Sequence, residues 1–195
     1  MNYNGAYKYV TNRLEKGLAA DLLYHGLHHT LDVVATAELI AENEGLSTQE
    51  ISLAKTAALY HDMGFLFEYE DNEMQAMDLV KQTLPEFDYS NTEIEIIVGM
   101  IAATIIHVKP ETHLEKIMVD ADFDYFGRND FEQIAATLYT ELKAYGNEYS
   151  IKQWDEVQVQ FLKKHRYYTN FSLKNRQNKK QKNLSNLIER LSEYD

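Results

Sequence analysis

Apolar residues recur along most of the chain at spacings of three and four, which is the pattern of a helix with one buried face. The clearest periodic stretches are 31–39, 51–60, 94–106, 114–126, 131–145, 151–168 and 184–191. No stretch alternates apolar and polar residues as a half-buried strand does, and the chain contains only two prolines. The pattern therefore predicts an all-α protein.

Short polar signals predict where several of these helices begin and end. A Ser or Thr followed three residues later by Glu forms a capping box. Such pairs occur at Ser47 and Glu50, Ser90 and Glu93, and Thr112 and Glu115, while Ser150 is a further N-cap and Gly45 and Gly146 are predicted C-caps. We expect one helix over 51–60, with His61 and Asp62 near its end, one reaching from 94 to His107, and one spanning 114–127.

Composition limits the chemistry. A chain of 195 residues that is 45% hydrophobic is typical of one globular domain, and it has no cysteine, so a bound metal would need His, Asp or Glu ligands. The N-terminus lacks a secretory pattern and no apolar run is long enough to span a bilayer, which predicts a cytoplasmic protein without a membrane partner.

Charge is distributed unevenly. The net charge of -12 argues against binding a nucleic-acid polymer or an anionic membrane. Residues 161–182, however, contain eight Lys or Arg and no acidic residue. Two interpretations stay open for this segment: a solvated or partner-facing basic helix, or a rim that attracts phosphate.

Three of the seven histidines lie within five residues, in the stretch YHGLHHTLDVV. On a helix, His25 and His29 would share a face, whereas His28 would point elsewhere. A histidine on an apolar helix is more often a hydrogen-bonded core residue than a metal ligand, so the cluster needs partners.

Candidate partners lie in YHDMG, with His61 and Asp62, and in VDADFDYFG, where Asp120, Asp122 and Asp124 interrupt an apolar helix. Buried carboxylates are costly unless they are paired or bind a cation. Asp120 and Asp124 can share a helix face that Asp122 does not, so only one subset can reach a common site. Mixed imidazole and carboxylate ligands suit Mn(II), Fe(II), Co(II), Ni(II) or Zn(II), and Mg(II) less well.

These residues, His29, then His61–Asp62, then Asp122, resemble the H...HD...D signature of the HD-domain superfamily of metal-dependent phosphohydrolases. YHGLHHTLDVV is similar to the family's first-histidine stretch, and ALYHDMGF to its apolar approach to the HD doublet. The resemblance, to an uncharacterised branch, spans about residues 24–128. It implies an HD-domain helical bundle with the metal site in its centre and extra C-terminal helices. We expect a single domain over 1–195, with a core at about 20–130 and a C-terminal helical extension at about 130–195.

The resemblance also implies ligands and a proton donor. His29, His61, Asp62 and Asp122 would bind one divalent ion per chain. His25 matches the position of a proton donor in related phosphodiesterases, although Gly26 replaces the Asn usual there, so a purely structural His25 stays an alternative.

Other roles rest on weaker matches. The general base would be Asp62, through its second oxygen, or Glu73, because Phe65 occupies the position where some HD phosphatases have Glu. Phosphate contacts would come from His107 and Arg128. The alternatives are a capping or core role for His107 and an ordinary helix-terminal interaction for Arg128.

The predicted function is hydrolysis of a small phosphate ester, with a nucleotide as the expected substrate and a metal-activated water as nucleophile. A non-catalytic sensor of metal or nucleotide is one alternative, and a di-iron oxygenase of the same fold is another. The expected partner is a small phosphorylated molecule, and a homodimer stays open.

Overall fold

Helices dominate the structure, a computed structural model that describes residues 1–194. Its α-helices are α1 (Tyr3–Gly17), α2 (Leu27–Asn43), α3 (Thr48–Tyr60), α4 (Asn72–Thr83), α5 (Asn91–Ala102), α6 (His113–Asp122), α7 (Phe131–Ala144), α8 (Ile151–Lys164), α9 (Asn170–Asn175) and α10 (Gln177–Ser192). Short 3-10 segments occupy Met63–Leu66, Leu84–Phe87 and Asp124–Gly127. No strand forms within residues 1–194, so the predicted all-α class is confirmed.

The predicted capping signals are present. At the starts of α3, α5 and α6, the Ser or Thr side chain accepts a hydrogen bond from the N3 backbone, and the Glu at N3 bonds back to the cap. Ser150 caps α8 in the same way with Gln153. Gly45 and Gly146 adopt φ of 77° and 88° just beyond α2 and α7, a conformation that favours glycine.

The larger core is built by α1 to α6. α3 lies in its middle, between α2 on one side and α5 on the other, and α2 also packs against α6. Ala54, Ala57 and Ala58 are fully buried along α3, and their small side chains let the neighbouring helices approach closely. This arrangement brings the start of α2 and the ends of α3 and α6 together.

The smaller core is built by α7, α8, α10 and the 3-10 segment 124–127. Phe131, Trp154 and Leu187 are buried in it, together with Tyr24 from the loop before α2. A pair between the fully buried Asp155 and Arg190, with a 2.6 Å nitrogen–oxygen distance, joins α8 to α10. The C-terminal helices therefore touch the loop that carries His25. The single domain over 1–195, with a core at about 20–130 and a C-terminal extension, stays a prediction.

Several predicted elements end differently. The helix expected to reach His107 ends at Ala102, where the Thr104 hydroxyl bonds the Ile101 carbonyl at 2.8 Å, and residues 103–112 are irregular. The helix expected over 114–127 ends at Asp122 and continues as a 3-10 segment.

The basic segment 161–182 is not one helix, because the extended backbone of His165 ends α8. The rest of the segment forms a connection, α9 and the start of α10. No helix among residues 1–194 combines the length and apolar character needed to cross a bilayer.

Candidate metal centre

Four predicted ligands come together where three helices meet. His29 lies in the first turn of α2, His61 and Asp62 directly follow α3, and Asp122 is the last residue of α6. His29, His61 and Asp62 are buried, and Asp122 is nearly so. The site is therefore formed by helix ends, where a side chain can leave the helix without crossing a packed face.

The ligand atoms face a common point. One atom each from His29, His61 and Asp122 lies within 4.8 Å of the others. The Nε2 atoms of His29 and His61 lie 3.3 and 3.6 Å from Asp122 Oδ1, and 3.4 and 3.1 Å from Asp62 Oδ2. Because metal–ligand bonds of about 2.0–2.2 Å leave neighbouring donor atoms about 3 Å apart, these spacings fit a coordination sphere.

His61 is oriented by its backbone. Its Nδ1 atom donates to the Ala58 carbonyl at 2.7 Å, which leaves the Nε2 lone pair directed into the cluster. His61 Nε2 and Asp62 Oδ2 are both buried and neither makes a hydrogen bond in the described structure. Two buried polar atoms without partners, facing each other, are what a cation site requires.

The electrostatics also favour a cation. Burial alone would lower the pKa of His61, but the carboxylates of Asp62 and Asp122 raise it well above its ordinary value. Burial would raise the pKa of both carboxyls, yet the two imidazoles hold them below their usual range. Two imidazoles and two carboxylates thus interact strongly in one buried site, where a divalent ion can take the place of a proton held between them.

The other two aspartates of VDADFDYFG serve different contacts. Asp120 accepts hydrogen bonds from the backbone N–H of Tyr168 at 3.0 Å and from the backbone and hydroxyl of Thr169, where it supports the start of α9. Asp124 pairs with Arg176 at 2.7 Å. Of the three, only Asp122 reaches the cluster.

His25 lies beside the cluster, but not for the reason given by helical spacing. The residue precedes α2, because the extended backbone of Gly26 begins the helix, so His25 and His29 do not share a helix face. The His25 ring stacks on Phe65, with ring centroids 4.2 Å apart, and its centroid lies 6.0 Å from that of His29. Phe65 therefore forms a wall of the site.

Glu141 on α7 is the residue that the sequence analysis missed. Its carboxylate bonds His25 Nδ1 and accepts the backbone N–H of Tyr24 at 2.7 Å and of His25 at 3.0 Å. The Tyr69 hydroxyl donates to the same carboxylate at 3.1 Å. Burial raises the pKa of Glu141, but the bond from His25 and the backbone N–H groups bring it below its ordinary value.

An ionised Glu141 therefore holds a proton on His25 Nδ1, and Nε2 is the ring nitrogen that remains for a second partner. One sequence signal points to Glu141. It occupies the apolar stripe formed by Ile134, Leu138 and Tyr145, where a carboxylate is unexpected.

The remaining candidates do not contact the four clustered side chains. His28 is exposed, Glu73 is partly exposed in the first turn of α4, and His107 is exposed with φ of 81°. Arg128 is already paired with Asp32 and Asp130, at 2.7 and 2.6 Å. Catalysis by Glu73 and phosphate contacts by His107 and Arg128 stay predictions.

Comparison with known proteins gives the family. An uncharacterized protein of Clostridium beijerinckii is 36% identical over 76 residues, which are 37% of this chain and 48% of that relative, so the match spans about half the relative's length. The crystal structure of a "predicted HD superfamily hydrolase" from an uncultured Thermotogales bacterium has the same fold, with a TM-score of 0.60 at 19% identity over 96% of this chain and 90% of that one. HD domains bind divalent metals. The sequence model of the HD domain matches residues 26–123, half of the chain, and the chain belongs to the HD domain family.

Proposed function

We propose that this protein is a metal-dependent phosphohydrolase that acts on a small phosphate ester, with a nucleotide as the expected substrate. The observation that carries the proposal is the convergence of two imidazoles and two carboxylates on one buried point. Two of the atoms that face this point, His61 Nε2 and Asp62 Oδ2, have no hydrogen-bond partner in the described structure. A second imidazole–carboxylate pair, His25 and Glu141, stands beside them. Metal ligands next to an oriented imidazole are the parts that phosphate-ester hydrolysis needs.

His29, His61, Asp62 and Asp122 would hold one divalent ion. When bound, the ion supplies a nucleophilic water at neutral pH and offsets the negative charge of the phosphoryl group. The donor set excludes thiolate chemistry, because the chain has no cysteine.

The protein's own groups supply proton transfer. His25 donates a proton from Nε2 to the leaving oxygen, and Glu141 holds the ring in place through Nδ1. Phe65 and Tyr24 lie against the His25 ring, with centroids 4.2 and 4.6 Å away, and restrict its rotation. The second carboxylate oxygen of Asp62 is the proton acceptor for the attacking water, since Glu73 makes no contact with the cluster.

The test combines metal analysis with turnover on one preparation. Metal content is measured on the purified protein, followed by phosphate release from a panel of nucleotides and generic esters with added Mn(II). We expect about one ion per chain. We also expect turnover that is lost in Asp122→Ala and in Asp62→Ala.

The matched control is His28→Ala, which removes an exposed imidazole from the same helical turn as His29 and should retain most activity. Turnover that survives in Asp62→Ala would refute the proposal. Metal binding without turnover on any ester would favour the sensor, and a pair of iron ions would favour the oxygenase.

A further inference from the structure

A cavity of about 1130 Å³ lies between the irregular segment 103–109, the end of α6 and one face of α8. Its volume lies just above the range usual for small-molecule sites, roughly 300–1,000 Å³. None of the four candidate metal ligands lines it. Val119 on α6 and Phe123, the C-cap of that helix, do line it, and Asp122 precedes Phe123 on a different face of the helix. The cavity is therefore a separate chamber beside the metal centre.

The cavity is mainly apolar and its mouth is exposed. Ile105 and Val157 line it from opposite sides. At the mouth, Ile106, Val108 and Phe161 are 55%, 46% and 39% exposed, although each is a large apolar side chain. Apolar side chains exposed around a concave space are typical of a ligand site.

Cations occupy one edge of the same cavity. Lys109, Lys164 and Arg166 line it, against Glu156 as the acidic residue. None of the three cations forms an ion pair with another residue of the described chain, 1–194. Arg166 also lies over the Tyr168 ring, 5.4 Å from its centroid. In a protein with a net charge of -12, three cations beside an apolar cavity, without a carboxylate partner in the described chain, favour an anionic ligand.

His165 adds an uncharged hydrogen-bond donor. Its Nδ1 atom lies 3.2 Å from Lys180 Nζ, and the same ammonium donates to the His165 carbonyl at 2.6 Å. An ammonium group can only donate, so Nδ1 accepts and the imidazole proton is on Nε2. Burial, helped by the charge of Lys180, lowers the pKa of His165 to about 3, which keeps the ring neutral.

This Nε2 atom is buried and has no hydrogen-bond partner among the residues described. The rings of Phe123 and Phe126 lie beside the imidazole, with centroids 5.6 and 5.1 Å away. Lys180, itself only 2% exposed, fixes the tautomer from the opposite side. A buried donor without a partner, in a residue that lines a cavity, indicates a missing polar ligand atom.

We propose that this cavity binds a small amphipathic anion, a molecule with an aromatic or branched apolar body and one carboxylate, sulfonate or phosphate group. The apolar body packs between Val157 and Phe123, the acidic group lies against Lys164 and Arg166, and His165 donates from Nε2 to a polar atom of the ligand. Two kinds of molecule have this chemistry: a separate effector, and a substrate whose apolar part occupies the cavity during hydrolysis. The inference does not depend on hydrolysis.

The test is a fluorescence titration of the metal-free full-length protein with 1-anilinonaphthalene-8-sulfonate, an aromatic sulfonate of this class. We expect saturable binding of one probe per chain, weaker at high ionic strength. Val157→Trp places a bulky ring in the cavity beside the expected position of the ligand, and Lys164→Glu reverses the charge of one cation. Each should raise Kd by about tenfold, the size of one lost charge or packing contact.

Two controls match these changes. Ile151→Trp places the same side chain on an exposed position of α8, and Lys163→Glu makes the same charge change at the neighbouring residue, which does not line the cavity. Both should bind the probe as the wild type does. Near-ultraviolet circular dichroism checks that every variant keeps its packed core. Equal affinity in Val157→Trp, Lys164→Glu and the two controls, or binding that never saturates, overturns the proposal.

A second measurement identifies the source of the ligand. With metal present, an ester that displaces the probe and whose KM rises in Lys164→Glu is a substrate that uses the cavity. If an aromatic acid displaces the probe and the KM of the ester is unchanged in Lys164→Glu, the ligand of the cavity is a separate effector. The probe titration itself needs no turnover, so failure of the proposed hydrolase leaves this inference intact.

Discussion

Replacing Glu141 by alanine should destabilise the protein strongly, because four donors depend on this one carboxylate. They are the backbone N–H groups of Tyr24 and His25, the His25 ring and the Tyr69 hydroxyl. A buried donor without a partner costs about 1–3 kcal/mol, and since three of the four donors are partly exposed, we expect a total loss of about 3–5 kcal/mol. Glu141→Gln keeps the volume and one acceptor oxygen, so it should cost only about 1–2 kcal/mol.

The assay is urea unfolding followed by circular dichroism at neutral pH. Glu132→Gln is the matched control, because Glu132 lies on the same helix and its side chain is 63% exposed. Its ion pair with Arg190 has a long nitrogen–oxygen distance of 3.5 Å and contributes little. A Glu141→Ala variant no less stable than Glu132→Gln would refute the reasoning.

The effect of Glu141 should also depend on pH. Its pKa in the folded protein is below the ordinary value of a glutamate, about 4.3, so its charge stabilises the fold above that pH. This contribution is lost as the pH falls through the folded pKa. The difference in unfolding free energy between the wild type and Glu141→Gln should therefore be largest near neutrality and shrink in acid.

The same variant tests the role of His25. A glutamine amide cannot hold the imidazole proton on Nδ1 through a negative charge, so kcat of Glu141→Gln should fall about 10²-fold, the lower end of the contribution of a general acid. Metal content should not change, because Glu141 contacts none of the four candidate ligands. An unchanged kcat would leave His25 and Glu141 with a structural role only.

Three further results are expected. Metal binding should release about one proton near neutral pH, because the pKa of His61 is raised in the metal-free site and an imidazole ligand must be neutral. Calorimetry in buffers of different ionisation enthalpy measures this proton release. A binding enthalpy that does not depend on the buffer would contradict the prediction. Gly64→Ala should lower the melting temperature sharply, since a Cβ there would fall 1.8 Å from the Asn72 carbonyl oxygen, whereas Gly99→Ala, whose Cβ meets nothing closer than 3.6 Å, should be neutral or stabilising by up to about 1 kcal/mol. Asp120→Ala should cost about 2–4 kcal/mol in urea unfolding yet leave metal content unchanged, and loss of metal in this variant would show that Asp120 acts at the site.

Local signals predicted much of the helical architecture. The capping boxes at the starts of α3, α5 and α6 depend on four consecutive residues and are visible in the sequence. Helix α1 was not predicted, although Ala6, Val10 and Leu14 repeat every four residues on its buried face. Helix α5 ends at Ala102, earlier than predicted, because an apolar run gives no sign of where packing ends a helix.

The four candidate metal ligands could also be predicted from the sequence, because each lies in a short local motif. His29, the His61–Asp62 doublet and Asp122 each belong to a short recognisable stretch, and the structure brings these four together. Glu141 lies 116 residues from His25 and belongs to no motif, so only tertiary packing reveals the contact. The role of His25 stays a prediction, and the helical spacing that placed it on one face with His29 was wrong, because the helix begins after Gly26.

The contact between Glu141 and His25 means that two parts of the chain contribute to the site. The residues that match the HD domain, 26–123, carry every candidate metal ligand, whereas the acceptor for His25 comes from α7, outside that match. Under the proposed mechanism, substitutions in α7 would therefore change proton transfer and leave the four candidate metal ligands in place. The segment 26–123 alone contains the four candidate metal ligands but neither His25 nor Glu141, so the proposed proton donor and the carboxylate that orients it both lie outside the family match.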